Sequence, residues 1–265
     1  ARVVQFPNWS DLQRIQPMHA DTAFRRELGA SDTQTVVMYA GAMGRKQGLN
    51  LVLDAAQQLS GDSRFLFVMI GSGSEAGQLQ QDARRRGLAN MRFLPLQPIE
   101  RLGEVLGSAN IHLVIQKADA ADLVMPSKLT NILAAGRPAI ATTPAGTALW
   151  DAVHEHETGL AITPESVPAL VQALQALAND PGLAQRLGAN ARRYAERELD
   201  QDAILGRFEQ LLLSLSGQRG GAQPVLPSAR TEAPGPHDDA EAAALPSTPG
   251  TAGARRAELA DNGKR

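Results

Sequence analysis

The chain has 265 residues, 26 basic against 28 acidic side chains, 43% hydrophobic residues and no cysteine. A net charge of −2 argues against wrapping nucleic acid, which needs a basic excess to neutralise phosphates. Without cysteine there are no disulfides, no thiolate catalysis and no cysteine-type zinc sites, and no run reaches the about 18 consecutive apolar residues of a membrane-spanning helix.

Of the 26 basic residues only four are lysine: Lys46, Lys117, Lys128 and Lys264. The sequence opens Ala1-Arg2-Val3-Val4 with neither an initiator Met nor a charged-then-apolar leader, so it reads as the later part of something longer. A cytoplasmic location is expected, with peripheral contact at the inner membrane face as an option.

In chain order, apolar runs of strand length fall at Val36–Ala40, Phe65–Ile70, Met91–Leu94, Ile111–Ile115, Ala139–Ala141 and Leu160–Ile162. Helical spacing falls between them, at Leu49–Leu59, Glu75–Arg86, Ile99–Leu106, Lys128–Ala135 and Val167–Ala178. Strands that lack polar alternation and are separated by helices predict an α/β fold with a doubly wound parallel sheet covered on both faces. Past Val167 the chain is predicted to be almost entirely helical. Asp180-Pro181 opens one helix, and Asp200 opens another that carries Leu205, Phe208, Leu211 and Leu212. Residues 217–265 hold six Pro and seven Gly but no Ile, Met or aromatic residue. They cannot bury enough apolar surface to offset their ordering entropy, so disorder is expected. The chain thus divides into an inter-domain lead-in at 1–30, a Rossmann-like domain with C-terminal helices at 31–216, and a disordered tail at 217–265.

Open parallel sheets bind ligands at the carboxyl ends of their strands. Three loops there carry candidate chemistry. The first runs Tyr39-Ala40-Gly41-Ala42-Met43-Gly44-Arg45-Lys46-Gln47-Gly48-Leu49. Gly41 and Gly44 let backbone amides approach a ligand, and Arg45 and Lys46 add two cations at a helix start, which suits a phosphate. It is neither the Walker nor the dinucleotide pattern. Its plain reading is a glycine-rich turn with solvated charges. The second is Ile70-Gly71-Ser72-Gly73-Ser74-Glu75, where Gly71 and Gly73 also serve tight-turn geometry and Ser72 or Ser74 can cap the next helix. The third is Asp122-Leu123-Val124-Met125-Pro126-Ser127-Lys128-Leu129-Thr130-Asn131. Here Ser127 and Lys128 fall in the first helical turn as a second anion site, and Asn131 lies one turn on, within reach of a hydroxyl. A cation in a first turn opposes the helix dipole, so Lys128 needs a further reason to be there.

Other features read more plainly. His154 and His156 lack an evident third metal ligand. Arg84-Arg85-Arg86 is a solvated helix face, with a phospholipid surface as the alternative.

The order Pro7-Asn8-Trp9, then Gly41 to Lys46-Gln47-Gly48-Leu49, Gly71-Ser72-Gly73, and Pro126-Ser127-Lys128 to Gly136-Arg137-Pro138 resembles glycosyltransferase family 4. Within it, the resemblance is to the WcaI-like enzymes of colanic-acid and other exopolysaccharide assembly. It covers about residues 1–215. It implies a GT-B fold of two Rossmann-like domains, of which this chain matches the C-terminal, donor-binding half and lacks the N-terminal one. The implied activity is retaining transfer of a sugar from a nucleotide diphosphate sugar to a glycan or lipid-linked acceptor, with no metal or other cofactor. Carried over, the Gly41 loop holds the donor diphosphate with Lys46 as main cation, Gly71-Ser72-Gly73 lies near the nucleoside, and the Ser127 and Lys128 amides hold phosphate. Relatives place Arg after the loop's first glycine; Ala42 stands there, leaving that part to Arg45. The family's pair of glutamates with seven residues between them falls on Leu123 and Asn131, with Asp122 beside the first. Those departures motivate a rival reading, a non-catalytic nucleotide-sugar-binding module.

Overall fold

The computed structural model describes residue 4 and residues 6–19, 21–118 and 126–217. The expected disordered tail lies outside them, apart from Gly217. Six strands form one all-parallel sheet: β1 (Thr35–Ala40), β2 (Phe65–Ile70), β3 (Met91–Leu94), β4 (Ile111–Val114), β5 (Ala139–Thr142) and β6 (Gly159–Ile162). Their order is β3-β2-β1-β4-β5-β6, so the winding direction reverses between β1 and β4.

The helices are α1 (Ala23–Glu27), α2 (Asn50–Gln58), α3 (Ala76–Arg85), α4 (Leu102–Ser108), α5 (Ser127–Ala134), α6 (Ala148–Trp150), α7 (Val167–Asn179), α8 (Pro181–Glu198) and α9 (Gln201–Gly217). Sequence periodicity misses α1 and α6, which are too short to show a period. α6 runs into a π-helical turn, Asp151–Glu155. The expected helix starts hold: Asp180 Oδ1 accepts from the Leu183 amide, and Asp200 Oδ1 from that of Ala203.

Both sheet faces are dry, which is why the strands read as continuous apolar runs. On one face Val37, Tyr39, Phe65, Phe67, Met69 and Leu113 pack under α2, α3 and α7. On the other, Val36, Met38, Leu66, Val68 and Ile70 pack beneath Phe24 of α1 and Val105 of α4. Val114, Ala139 and Ala141 join α5, α8 and, from the N-terminal segment, Leu12 and Ile15.

That N-terminal segment is stitched down. Arg192 of α8 donates from one guanidinium nitrogen to the carbonyls of Ile15 and Ala134, each at 2.8 Å, and Arg137 donates to those of Met18 and Gly107. The Ser10 amide bonds the Leu199 carbonyl. Arg192 therefore ties the segment to the end of α5. Its replacement by Met leaves two carbonyls without their charged donor, at about 1.5–3 kcal/mol per bond. We expect Arg192→Met to lose about 3 kcal/mol, or on the order of 6–12 °C in midpoint, by thermal or urea unfolding, with earlier protease cleavage in residues 6–19.

Candidate functional site

Strand β1 pairs with β2 along its whole length but with β4 only at Val37↔Ile111 and Met38↔His112. A crevice opens at the reversal point, beyond the carboxyl ends of β1 and β4. The loops after β1 and β2 continue the ladder past the strands. The Gly41 amide donates to the Ile70 carbonyl at 2.9 Å, Met43 to Ser72 at 2.8 Å, and Glu75 back to Met43 at 2.9 Å. This contact needs bare backbone. A Cβ on Gly71 would overlap the Gly41 carbonyl oxygen, and one on Gly73 the Met43 carbonyl oxygen, at φ of 147° and 153°. So Gly71 and Gly73 have a packing reason of their own. Neither serine caps α3: Glu75 holds the N-cap position with no side-chain bond, which corrects that expectation.

The third loop meets the first through Lys128. Helix α5 begins with Pro126 as its N-cap, and the Lys128 side chain crosses to β1. Its Nζ donates to Tyr39 Oη at 2.8 Å and lies 4.0 Å from the ring centroid, while Tyr39 Oη donates to the Ala42 carbonyl at 2.5 Å. A Cβ at Gly41 would sit 3.1 Å from Nζ, so the glycine also makes room for the ammonium. This supplies the reason for a cation in the first turn of α5. Burial pushes the Lys128 ammonium down to about 8 and the Tyr39 phenol up.

Between these elements lies a cleft of 510 Å³ whose lining includes Asn8, Trp9, Gly41, Ala42, Gln47, Ser127, Lys128 and Asn131. The structure thus brings Gly41, Ser127, Lys128 and Asn131 together across nearly a hundred residues. Asn131 does not stand alone: its Oδ1 accepts from Ser10 Oγ at 2.9 Å, so a ligand hydroxyl would meet Nδ2. Arg45 and Lys46 sit on a 3-10 turn, Arg45–Gln47, outside the cleft lining. The Arg45 side chain is 90% exposed with Glu75 at 4.0 Å. Gly44 donates its amide to Gln47 Oε1, which shapes that turn. Asp122 and Leu123 lie outside the described residues.

Sequence reasoning missed Lys117, gave Tyr39 no role beyond heading the first loop, and gave Asn8 and Trp9 no part in a site. The Lys117 amide bonds the Lys46 carbonyl at 3.0 Å, and its side chain lies over Gly48. Three of the four lysines therefore meet at one end of the sheet, a signal that lysine scarcity in an arginine-rich chain already carried. The remaining candidates are elsewhere. His154 stacks on Trp150 and His156 on Tyr194. Arg85 and Arg86 pair with Asp82 and Asp54, and Arg84 lines a separate groove beside edge strand β3.

Residues 20–194 match the family model described as glycosyl transferases group 1. The chain is 43% identical over 211 residues to the Escherichia coli (strain K12) protein designated a colanic acid biosynthesis glycosyl transferase, WcaI, covering 78% of this chain and 50% of that one. The chain spans about half the length of the curated relatives it matches. Among solved structures, HepE of Anabaena in complex with UDP superposes with a TM-score of 0.68 at 18% identity, over 79% of this chain and 57% of HepE. The C-terminal domain of a glycosyl transferase group 1 protein, LpcC, from Francisella tularensis gives a TM-score of 0.59 at 16% identity, over 72% of this chain and 99% of that domain. At such identities the likeness is one of fold, and it bears out the expected doubly wound, GT-B-like sheet.

Two outcomes follow from this geometry. Gly71→Ala forces the first two loops apart and is expected to cost about 2–4 kcal/mol, read as a lowered unfolding midpoint, whereas Gly77→Ala, with nothing within 4 Å of its Cβ, is not. Lys128 is charged below its pKa of about 8, and its attraction for an anion is lost as pH rises through that value. Affinity for inorganic pyrophosphate should fall about tenfold between about pH 7 and about pH 9, and Lys128→Met should flatten that profile in calorimetric titration.

Proposed function

Since the chain belongs to the group 1 glycosyl transferases, we propose that it is the donor-binding half of a bacterial polysaccharide glycosyltransferase. The reaction we assign to the whole enzyme is retaining transfer of a sugar from a nucleotide diphosphate sugar to a glycan or lipid-linked acceptor. The observation that carries this reading is the cleft where the Gly41 loop and the start of α5 converge, with the Lys128 ammonium between them. The UDP bound to HepE, a protein of the same fold, is consistent with it.

The chemistry asks for what this cleft offers. When the bond between the anomeric carbon and the diphosphate oxygen breaks, the electron pair stays with the diphosphate and its charge grows. The Ser127 and Lys128 amides, at the start of α5, have no acceptor within their helix and point with the helix dipole toward that charge. Lys128 adds a half-buried cation whose approach is already fixed. Arg45 and Lys46, exposed on their turn, close on the diphosphate when it is bound. Preorganised donors of this kind usually supply the largest share of such catalysis. We assign the charge to these groups and propose no metal. Asn131 offers Nδ2 to a hydroxyl of the donor. The acceptor site and any further catalytic group belong to the preceding half of the enzyme. Among the described residues no helix is long and apolar enough to cross a membrane.

Thermal unfolding with UDP, GDP, ADP and orthophosphate tests the proposal. A ligand at about 100 times its Kd adds roughly 2.7 kcal/mol, on the order of 5–10 °C for a domain of this size. One nucleoside diphosphate is expected to stabilise the chain selectively, with the shift lost in Lys128→Met and reduced in Lys46→Ala. No shift with any of the four overturns the donor site. The chain alone should turn nothing over, while the protein including its preceding half should transfer sugar. Binding without transfer by that longer protein would favour the non-catalytic module.

A further inference from the structure

We propose that Trp9 is a donor-binding residue whose indole packs against the sugar ring of the nucleotide-sugar, an assignment that rests on the donor-site reading above. Trp9 lines the cleft yet is 45% exposed. An indole left in water contributes little to folding, and a large aromatic side chain held at a concave polar site is the unusual observation that calls for a ligand.

The backbone around it is fixed. Ser10 is 2% exposed; its amide donates to the Leu199 carbonyl at 2.9 Å and its hydroxyl to Asn131 Oδ1 at 2.9 Å. Residue 9 is thus anchored one peptide away while its own side chain stays at the rim. Such an arrangement lowers the entropy cost of a stacking contact.

The rest of the lining explains the choice of group. Gly41, Ala42, Gln47, Ser127, Lys128 and Asn131 offer amides, a cation and hydrogen-bonding ends, which suit phosphate and hydroxyl. Apart from the small ring of Pro126 the other lining residues present no flat apolar face, and Trp9 is the aromatic residue among them. A pyranose has one face rich in C–H groups that an indole covers well. The electron-rich ring face also favours the positive character that develops at the anomeric carbon as the diphosphate leaves. The sugar rather than the nucleobase is assigned because Gly71, Ser72 and Gly73, the loop expected near the nucleoside, do not line this cleft. With the diphosphate between Gly41 and Ser127, its other substituent meets Trp9.

The chain has two tryptophans, and Trp150 is half-buried against His154 at 4.4 Å. In a Trp150→Phe background, emission reports Trp9 alone. That protein is titrated with UDP, UDP-glucose, GDP and GDP-mannose, with calorimetry in parallel. A saturable emission change is expected with a nucleotide-sugar, several-fold larger than with the nucleoside diphosphate of the same base. Trp9→Ala should weaken the nucleotide-sugar about tenfold and the nucleoside diphosphate less than about twofold, with an unchanged unfolding midpoint, and Trp9→Phe should retain most of the affinity. Equal weakening of both ligands overturns the sugar assignment and moves the indole to the nucleoside. Calorimetric binding with no emission change and no loss in Trp9→Ala overturns the inference and leaves the donor site standing. Absence of binding by all four ligands overturns both.

Discussion

The loops after β1 and β2 touch through backbone alone, and the rest of the cleft is built outward from that contact. The Gly41–Ile70, Met43–Ser72 and Glu75–Met43 hydrogen bonds extend the sheet's pairing beyond the strands, so the glycine-rich loop is held as firmly as the strand it follows. Hydrogen bonds between backbone groups tolerate little change in separation. Any Cβ at Gly71 or Gly73 would displace the Gly41 or Met43 carbonyl and with it the amides that face the cleft. Rigidity here comes from the absence of side chains.

On that fixed loop sits an electrostatically expensive group. Burying the Lys128 ammonium costs free energy because water solvates charge better than protein does. The partners it finds, the Tyr39 oxygen and ring face, are neutral and offset only part of that cost, which is why its proton is held more loosely than in a free lysine. An anion in the cleft would supply the missing counter-charge. A site that is strained in this sense without its ligand spends part of its folding stability on readiness to bind.

The fold was legible in the sequence almost residue by residue. Phe65–Ile70 and Met91–Leu94 coincide with the observed strands, and the other four differ at their ends by one residue. The reason is physical: each strand is covered on both faces, so it is a continuous apolar run bounded by polar loops. What escaped were α1 and the α6 turn, whose three to five residues are too few to register a helical period. The site was half legible. Gly41, Ser127 and Lys128 stood out because glycine and cations at strand-to-helix loops have a local reading. Trp9 did not, because its place at the cleft depends on Ser10 meeting Asn131 121 positions away.

The sequence by itself determined the layered α/β architecture, the loops that face the cleft and the family to which the chain belongs, since each depends on local order: apolar runs, helix caps and motif spacing. Tertiary structure alone decided what those residues do to one another. It turned Gly71 and Gly73 into a seam between loops. It sent the Lys128 side chain across to Tyr39 and left Arg45 in solvent, though all three positions read alike as loop cations or their neighbours. It also carried the N-terminal segment over α5 and α8 to set Trp9 in the cleft that Lys128 lines. Such pairings are fixed by the packing of elements far apart in the chain, and residue spacing along a sequence holds no record of which side chains close packing brings together.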